Sequence, residues 1–274
     1  MGKNSHIEWT HHTFNPWWGC AKVSPACNHC YAETLANRFG GAIWGKRGQR
    51  RFFGDTHWSE PIKWNAEAQR TNTRFRVFCA SMSDVFEDRR DLDSERVKLW
   101  ALIEKTKFLD WLLLTKRPDA IQKLVPWGKK WPDNVWLGTT VENQEWADKR
   151  LPQLLASPAK IRFLSCEPLL GSIDLGRYTK KGGIHWIIVG GESGAGARPM
   201  HPDWVRGLRD VAVKLSIAFH FKQWGNFAPA SKRLLGHTQF TFPDGVVMVS
   251  RNKVINGRKL DGKTHDEFPQ QSPK

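Results

Sequence analysis

Three cysteines, at positions 20, 27 and 30, lie in the stretch CAKVSPACNHCYAETLANRF, and no fourth stands nearby. Thiolates are metal ligands, and the spacing C-x6-C-x2-C admits two chemistries. Zinc would need a fourth ligand, for which His6, His11, His12, His29 and His57 are near enough in sequence. A 4Fe-4S cluster would take the three thiolates on three irons and leave the fourth iron open. Structural zinc sites commonly use two paired knuckles, whereas only one Cys-x2-Cys pair is present here. The spacing alone does not choose between the two metals. The N-terminus has no apolar signal-peptide core, so the five cysteines are expected to be reduced thiols or ligands in a cytoplasmic protein rather than a disulfide framework.

A thiol loop needs elements to hold it. Ala32, Leu35, Ala36 and Phe39 fall at i, i+3, i+4 and i+7, which predicts a helix closed by Gly40-Gly41, with Cys30 at its start. From residue 74 onward short apolar runs alternate with polar clusters and amphipathic segments. The runs RFRVFCA (74–80), DWLLLT (110–115), NVWLGTTV (134–141), KIRFLSC (160–166), IHWIIVG (184–190) and IAFHFKQ (217–223) predict strands, with a first strand near 7–14. Pro202 followed by Val205, Leu208, Val211, Ala212 and Leu215 predicts one of the intervening helices. This rhythm predicts an α/β fold, a partial or near-complete parallel (β/α) barrel over residues 1–229. Residues 230–274 read as a basic extension with a hairpin turning at Pro243-Asp244-Gly245 and a loose tail.

The polar clusters after the strands are Ser81-Met82-Ser83-Asp84, Thr115-Lys116-Arg117, Glu142-Asn143, Ser165-Cys166-Glu167, Gly190-Gly191-Glu192-Ser193 and Lys222-Gln223-Trp224. Ligand sites of parallel barrels gather at the strands' C-terminal ends, so six such clusters in series favour a shared polar pocket over six separate turns. The formal charge of +15, with a pI near 9.8, predicts salt-sensitive attraction to polyanions. Residues 44–76 carry eight Lys/Arg against three Asp/Glu and read as an inserted basic, aromatic segment. Within it Lys46, Arg47, Arg50 and Arg51, next to Phe52 and Phe53, are the candidate nucleic-acid contacts. Fifteen tryptophans against two tyrosines supply core packing and candidate stacking surfaces. No apolar run approaches the roughly 18 residues of a membrane span.

A cysteine loop after the first strand, with His29 just before the last cysteine, resembles the radical S-adenosylmethionine (SAM) superfamily, although C-x6-C departs from its commonest spacing. More closely, GCAKVSPACNHCYAE with SMSDVF, LLTKRP, GTTVEN, SCEPLLG and GGESG over residues 6–228 resembles a phage and bacterial three-cysteine-motif family of poorly defined function. The resemblance implies a 4Fe-4S cluster on Cys20, Cys27 and Cys30, with one iron left for the amino and carboxylate groups of SAM. Reductive cleavage of SAM would then yield a 5'-deoxyadenosyl radical that abstracts hydrogen from a substrate. It implies SAM contacts among His29, Ser81, Ser83, Asp84, Glu142, Asn143, Glu167, Gly190, Gly191 and Glu192. Cys166 is a candidate hydrogen donor to a substrate radical, and Lys116 a candidate substrate contact. The expected partners are DNA or RNA, as in repair or base modification, and an electron donor such as flavodoxin or ferredoxin. Two other readings stay open: a zinc-stabilised nucleic-acid-binding protein without catalysis, and a radical SAM enzyme acting on a peptide or small molecule.

Overall fold

In the computed structural model, residues 2–38, 40, 42–179, 183–230 and 236–270 are described. Seven strands take the same order in the sheet as in the sequence: β1 (His12–Thr13), β2 (Phe75–Cys79), β3 (Leu109–Thr115), β4 (Val135–Thr140), β5 (Ile161–Cys166), β6 (Trp186–Gly190) and β7 (Ala218–Gln223). The pairs β1–β2, β2–β3, β3–β4, β5–β6 and β6–β7 are parallel. This is the α/β, sequential, all-parallel order of a partial (β/α) barrel that the strand-helix rhythm predicts. The connections carry α1 (Tyr31–Arg38), α2 (Asp55–Arg70), α3 (Asp93–Lys105), α4 (Ile121–Leu124), α5 (Gln144–Leu155), α6 (Gly176–Thr179) and α7 (Pro202–Lys214).

The chain divides into two compact units: residues 1–24, 32–139 and 153–162, and residues 25–31, 140–152 and 163–274. In the first, β3 reads Leu-Asp-Trp-Leu-Leu-Leu-Thr and is buried at six of its seven positions, the near-continuous apolar run of a strand covered on both faces. Its Trp111, Leu112 and Leu113 join Trp9, Phe14, Val77, Phe86, Leu99, Ile103 and Leu137 in a core closed to solvent. Full burial of each Leu or Ile contributes about 1.5–3 kcal/mol. The predicted first strand is only two residues long. Residues before it are turned instead, with Ser5 N donating to His11 O and Thr10 N to Ile7 O.

In the second unit β6 is buried throughout and packs with Phe163, Phe219 and Phe221. Helix α7 starts as the sequence predicts. Pro202 takes the first turn, and the His201 ring accepts a hydrogen bond from Asp203 N at 3.1 Å, while Val205, Leu208 and Ala212 face the core. The chain then forms β8 (Phe227–Pro229), β9 (Gln239–Thr241), β10 (Val247–Ser250) and α8 (Lys253–Asn256). Strands β9 and β10 make the expected antiparallel hairpin, and β8 pairs on the other side of β10. The expected loose tail is not loose up to residue 270. Phe221 N donates to His265 O, Glu267 N to Phe219 O, and Phe268 packs on Trp186 at 5.1 Å, so the segment covers the outer edge of β7.

Candidate metal and cofactor site

In the first unit, Cys20 follows a backbone strap. Trp18 and Arg51 exchange two backbone hydrogen bonds of 2.9 Å, and Gly45 N donates to Cys20 O at 2.8 Å. Gly19, at φ +110°, must be glycine, because a Cβ there would sit 2.2 Å from the Ile43 carbonyl oxygen. The basic insertion is therefore fastened to the residues next to the first cysteine. Burial pushes the Cys20 thiol up to about 12, and the nearby Arg117 opposes that shift. Arg117 Nη1 lies 3.5 Å from Cys20 Sγ, and Nη2 donates to Ala21 O at 2.7 Å.

Asp84 holds that guanidinium. Its carboxylate accepts from Arg117 Nη1 at 2.9 Å, Lys116 N at 3.0 Å, Thr115 Oγ1 at 2.7 Å and Phe86 N at 3.0 Å. Asp84, expected to meet SAM, is thus a buried carboxylate already engaged by four donors. Ser81 Oγ is buried and bonded to the Asn15 side chain at 3.1 Å. Ser83 Oγ is buried and has no hydrogen-bond partner among the described residues, an orphan acceptor and donor beside the β2 exit. Lys116 follows β3 directly, its side chain partly exposed.

Arg50 is not a surface cation. Its Nε and Nη2 bind Glu87 at 3.0 and 2.6 Å, and its remaining donors reach Ile43 O, Gly48 O and Gly45 O. The buried pair closes the basic strap on itself, which takes Arg50 out of the nucleic-acid set. Lys46, Arg47 and Arg51 are exposed. The Arg51 guanidinium stands 5.2 Å from the Trp18 ring centroid and 5.7 Å from that of Phe53.

In the second unit, Cys27 ends a 3-10 turn (Pro25–Cys27), and Cys30 immediately precedes α1. Charged side chains brace this turn. Glu142, fully buried, accepts from Ala26 N at 3.2 Å and from Arg150 Nη1 at 2.7 Å. Arg150 in turn donates to Thr140 O at 2.8 Å and stacks over Trp146. Glu192 lies 3.0 Å from His29 Nδ1 and accepts from Arg198 N, Nε and Nη2, while Arg198 Nη2 also donates to Pro25 O at 3.0 Å. Burial would raise the Glu192 carboxyl, but hydrogen bonds from Arg198 and His29 hold it below the usual range.

These contacts give several of the expected ligand residues partners within the chain. Glu142 and Glu192 are struts of the cysteine turn, and His29 is tied to Glu192. Asn143 caps α5, its Oδ1 accepting from Trp146 N at 3.1 Å. A Cβ on Gly191 would lie 1.9 Å from the Trp224 carbonyl oxygen, so chain packing by itself requires glycine there; Gly190 packs against the Glu167 side chain. Cys166 is fully buried, and that burial pushes its thiol up. Cys79 is buried. Glu167 remains at a strand exit, paired with Lys222 at 2.6 Å.

All five cysteines are reduced, and Cys20, Cys27 and Cys30 are each half-buried. Among the described residues no group of three His, Cys, Asp or Glu side chains is drawn together as a metal site. The bracing roles of Arg117, Arg150, Arg198 and Glu87 are not visible in the sequence. A basic residue after β3 is the only signal for Arg117, and Arg150 and Arg198 lie on surfaces the periodicity does not mark. No helix among the described residues is long and apolar enough to cross a membrane.

A family described as protein of unknown function (DUF5131) matches residues 4–269. That description names no cysteine motif. No curated protein matches the chain. Among solved structures, spore photoproduct lyase complexed with dinucleoside spore photoproduct matches with a TM-score of 0.50 at 12% identity, over 91% of this chain and 71% of that one. A single-cysteine mutant of spore photoproduct lyase matches with a TM-score of 0.50 at 14% identity and the same coverage. At these identities the likeness establishes a shared fold.

Proposed function

The chain belongs to the DUF5131 family, and we propose that it is a radical SAM enzyme acting on nucleic acid, with Cys20, Cys27 and Cys30 holding a 4Fe-4S cluster. The observation that carries this reading is three reduced, half-buried thiols on the loop after the first strand of a seven-stranded parallel sheet that shares the fold of spore photoproduct lyase. When bound, the cluster and SAM supply one-electron reductive cleavage and, through it, hydrogen abstraction from a substrate.

The chain's own residues do the positioning. Glu142 and Arg198 hold the turn that carries Cys27, and Arg117 faces Cys20. Ser83 Oγ and the Glu167–Lys222 pair are the groups at strand exits suited to polar ends of SAM. Lys46, Arg47 and Arg51, on the strap fastened beside Cys20, supply cations for phosphates, and the exposed Phe52 supplies a stacking face. The dinucleoside bound by the structurally similar lyase supports a nucleic-acid substrate. Such a substrate must be single-stranded or flipped out to expose a base to the site.

The test is strictly anaerobic reconstitution with iron and sulfide, then incubation with SAM and dithionite, or with reduced flavodoxin or ferredoxin, with and without a DNA oligonucleotide. The expected outcome is iron and acid-labile sulfide bound in equal amounts, and 5'-deoxyadenosine formed. Zinc retained in place of iron, with no 5'-deoxyadenosine under any condition, would favour the non-catalytic binding module.

A further inference from the structure

The Cys20 thiol has a guanidinium directed at its sulfur. Arg117 enters from the exit of β3, and Asp84, from the exit of β2, fixes it by a 2.9 Å ion pair. Asp84 is itself immobilised by Thr115 Oγ1 and by the backbone N–H groups of Lys116 and Phe86. The guanidinium therefore has one orientation, with Nη1 facing Cys20 Sγ and Nη2 on Ala21 O. Its side chain is 14% exposed and that of Asp84 7%, so water screens the charge weakly. Arg117 thus reaches the Cys20 sulfur itself.

We propose that Arg117, oriented by Asp84, sets the reduction potential of the cluster through Cys20. The inference rests on the radical SAM reading. A donor hydrogen bond and a fixed positive charge at a ligand sulfur favour the more negative, reduced form, and so raise the potential. Arg117 is a positioning residue in this scheme, acting through the Cys20 sulfur. The Asp84 carboxylate offsets part of its charge but not the directed N–H to sulfur.

The experiment is a spectroelectrochemical titration of reconstituted wild-type protein and the variants Arg117→Gln, Arg117→Lys and Asp84→Asn, with iron content and circular dichroism checked for each. Arg117→Gln is expected to disfavour one-electron reduction by about tenfold, a fall of about 59 mV for a single electron. Arg117→Lys, which keeps the charge and loses the planar fork, is expected to fall by less, and Asp84→Asn to fall between wild type and Arg117→Gln as the guanidinium loses its orientation. A potential unchanged in Arg117→Gln with full cluster content overturns the inference and leaves the function standing. If Arg117→Gln does not fold, an unchanged potential in Arg117→Lys does the same. Wild-type protein that takes up no cluster overturns both.

Discussion

Replacing Glu142 with alanine removes two things at once: the acceptor for Ala26 N in the cysteine turn, and the counter-charge of Arg150. Both Glu142 and Arg150 side chains are almost wholly inaccessible, at 0% and 3% exposure. Stranding one partner of such a pair costs about 3–5 kcal/mol. Against a total stability on the order of 5–15 kcal/mol, that loss alone brings the fold near its limit. The missing backbone acceptor adds on the order of 1–3 kcal/mol if Ala26 N stays buried. The double variant Glu142→Leu, Arg150→Met separates the effects. Removing both charges with apolar groups of similar size is often neutral or stabilising, so the double variant should recover most of the stability while leaving Ala26 N without its acceptor.

Urea unfolding of the metal-free protein measures the first effect, and iron bound per chain after anaerobic reconstitution measures the second. The expected pattern is a large loss of stability in the single variant, recovery in the double variant, and iron uptake impaired in both. Full iron uptake by the double variant would refute the reasoning that Glu142 holds the turn of Cys27. A single variant costing less than about 1 kcal/mol would refute the buried pair.

Arg47→Ala and Arg51→Ala should each lower the slope of log affinity against log salt for single-stranded DNA by about 0.7 for every phosphate that is no longer neutralised, measured by fluorescence anisotropy. Arg50→Ala should instead lower the unfolding midpoint through its stranded Glu87 partner, and a slope change of the same size without loss of stability would count against its buried role. His12, stacked on Trp64 at 4.6 Å, has its ring held down to about 4, first by burial and then by His11 and Lys3, with Glu67 opposing. The unfolded chain takes up this proton below about pH 6.5 and the fold resists it until about pH 4, so stability should fall on acidification across that window by up to about 3 kcal/mol. Thermal melts of His12→Phe should show a shallower decline between those limits, and an identical pH profile would sink the assignment.

The strands were legible because β2 to β7 are apolar runs of strand length closed by polar exits, and burial in a parallel sheet leaves that signature directly in the residue types. Helix α7 was legible for the same reason, its proline and apolar stripe marking one end and one face. What the sequence concealed was the use of the charged residues at those exits. Asp84, Glu142 and Glu192 have the residue type and placement expected of cofactor ligands, and each is instead engaged by an arginine: Arg117, Arg150 and Arg198. A carboxylate at a strand exit carries the same local signal whether it faces a ligand or a guanidinium. The distinction depends on where the cation folds back, and that position is 33 residues away for Asp84, 8 for Glu142 and 6 for Glu192.

That engagement bears on function through rigidity. On the proposed reading, a cysteine loop without a regular hydrogen-bonded ladder takes its geometry from side chains that reach in from outside it. Ala21 O, Pro25 O, Ala26 N and His29 are each held by such a group. Each brace uses a buried or half-buried ion pair, which contributes little net stability compared with apolar packing but fixes one geometry. Accepting that cost is what a preorganised ligand loop requires, and a turn serving only to connect β1 to α1 would not require it.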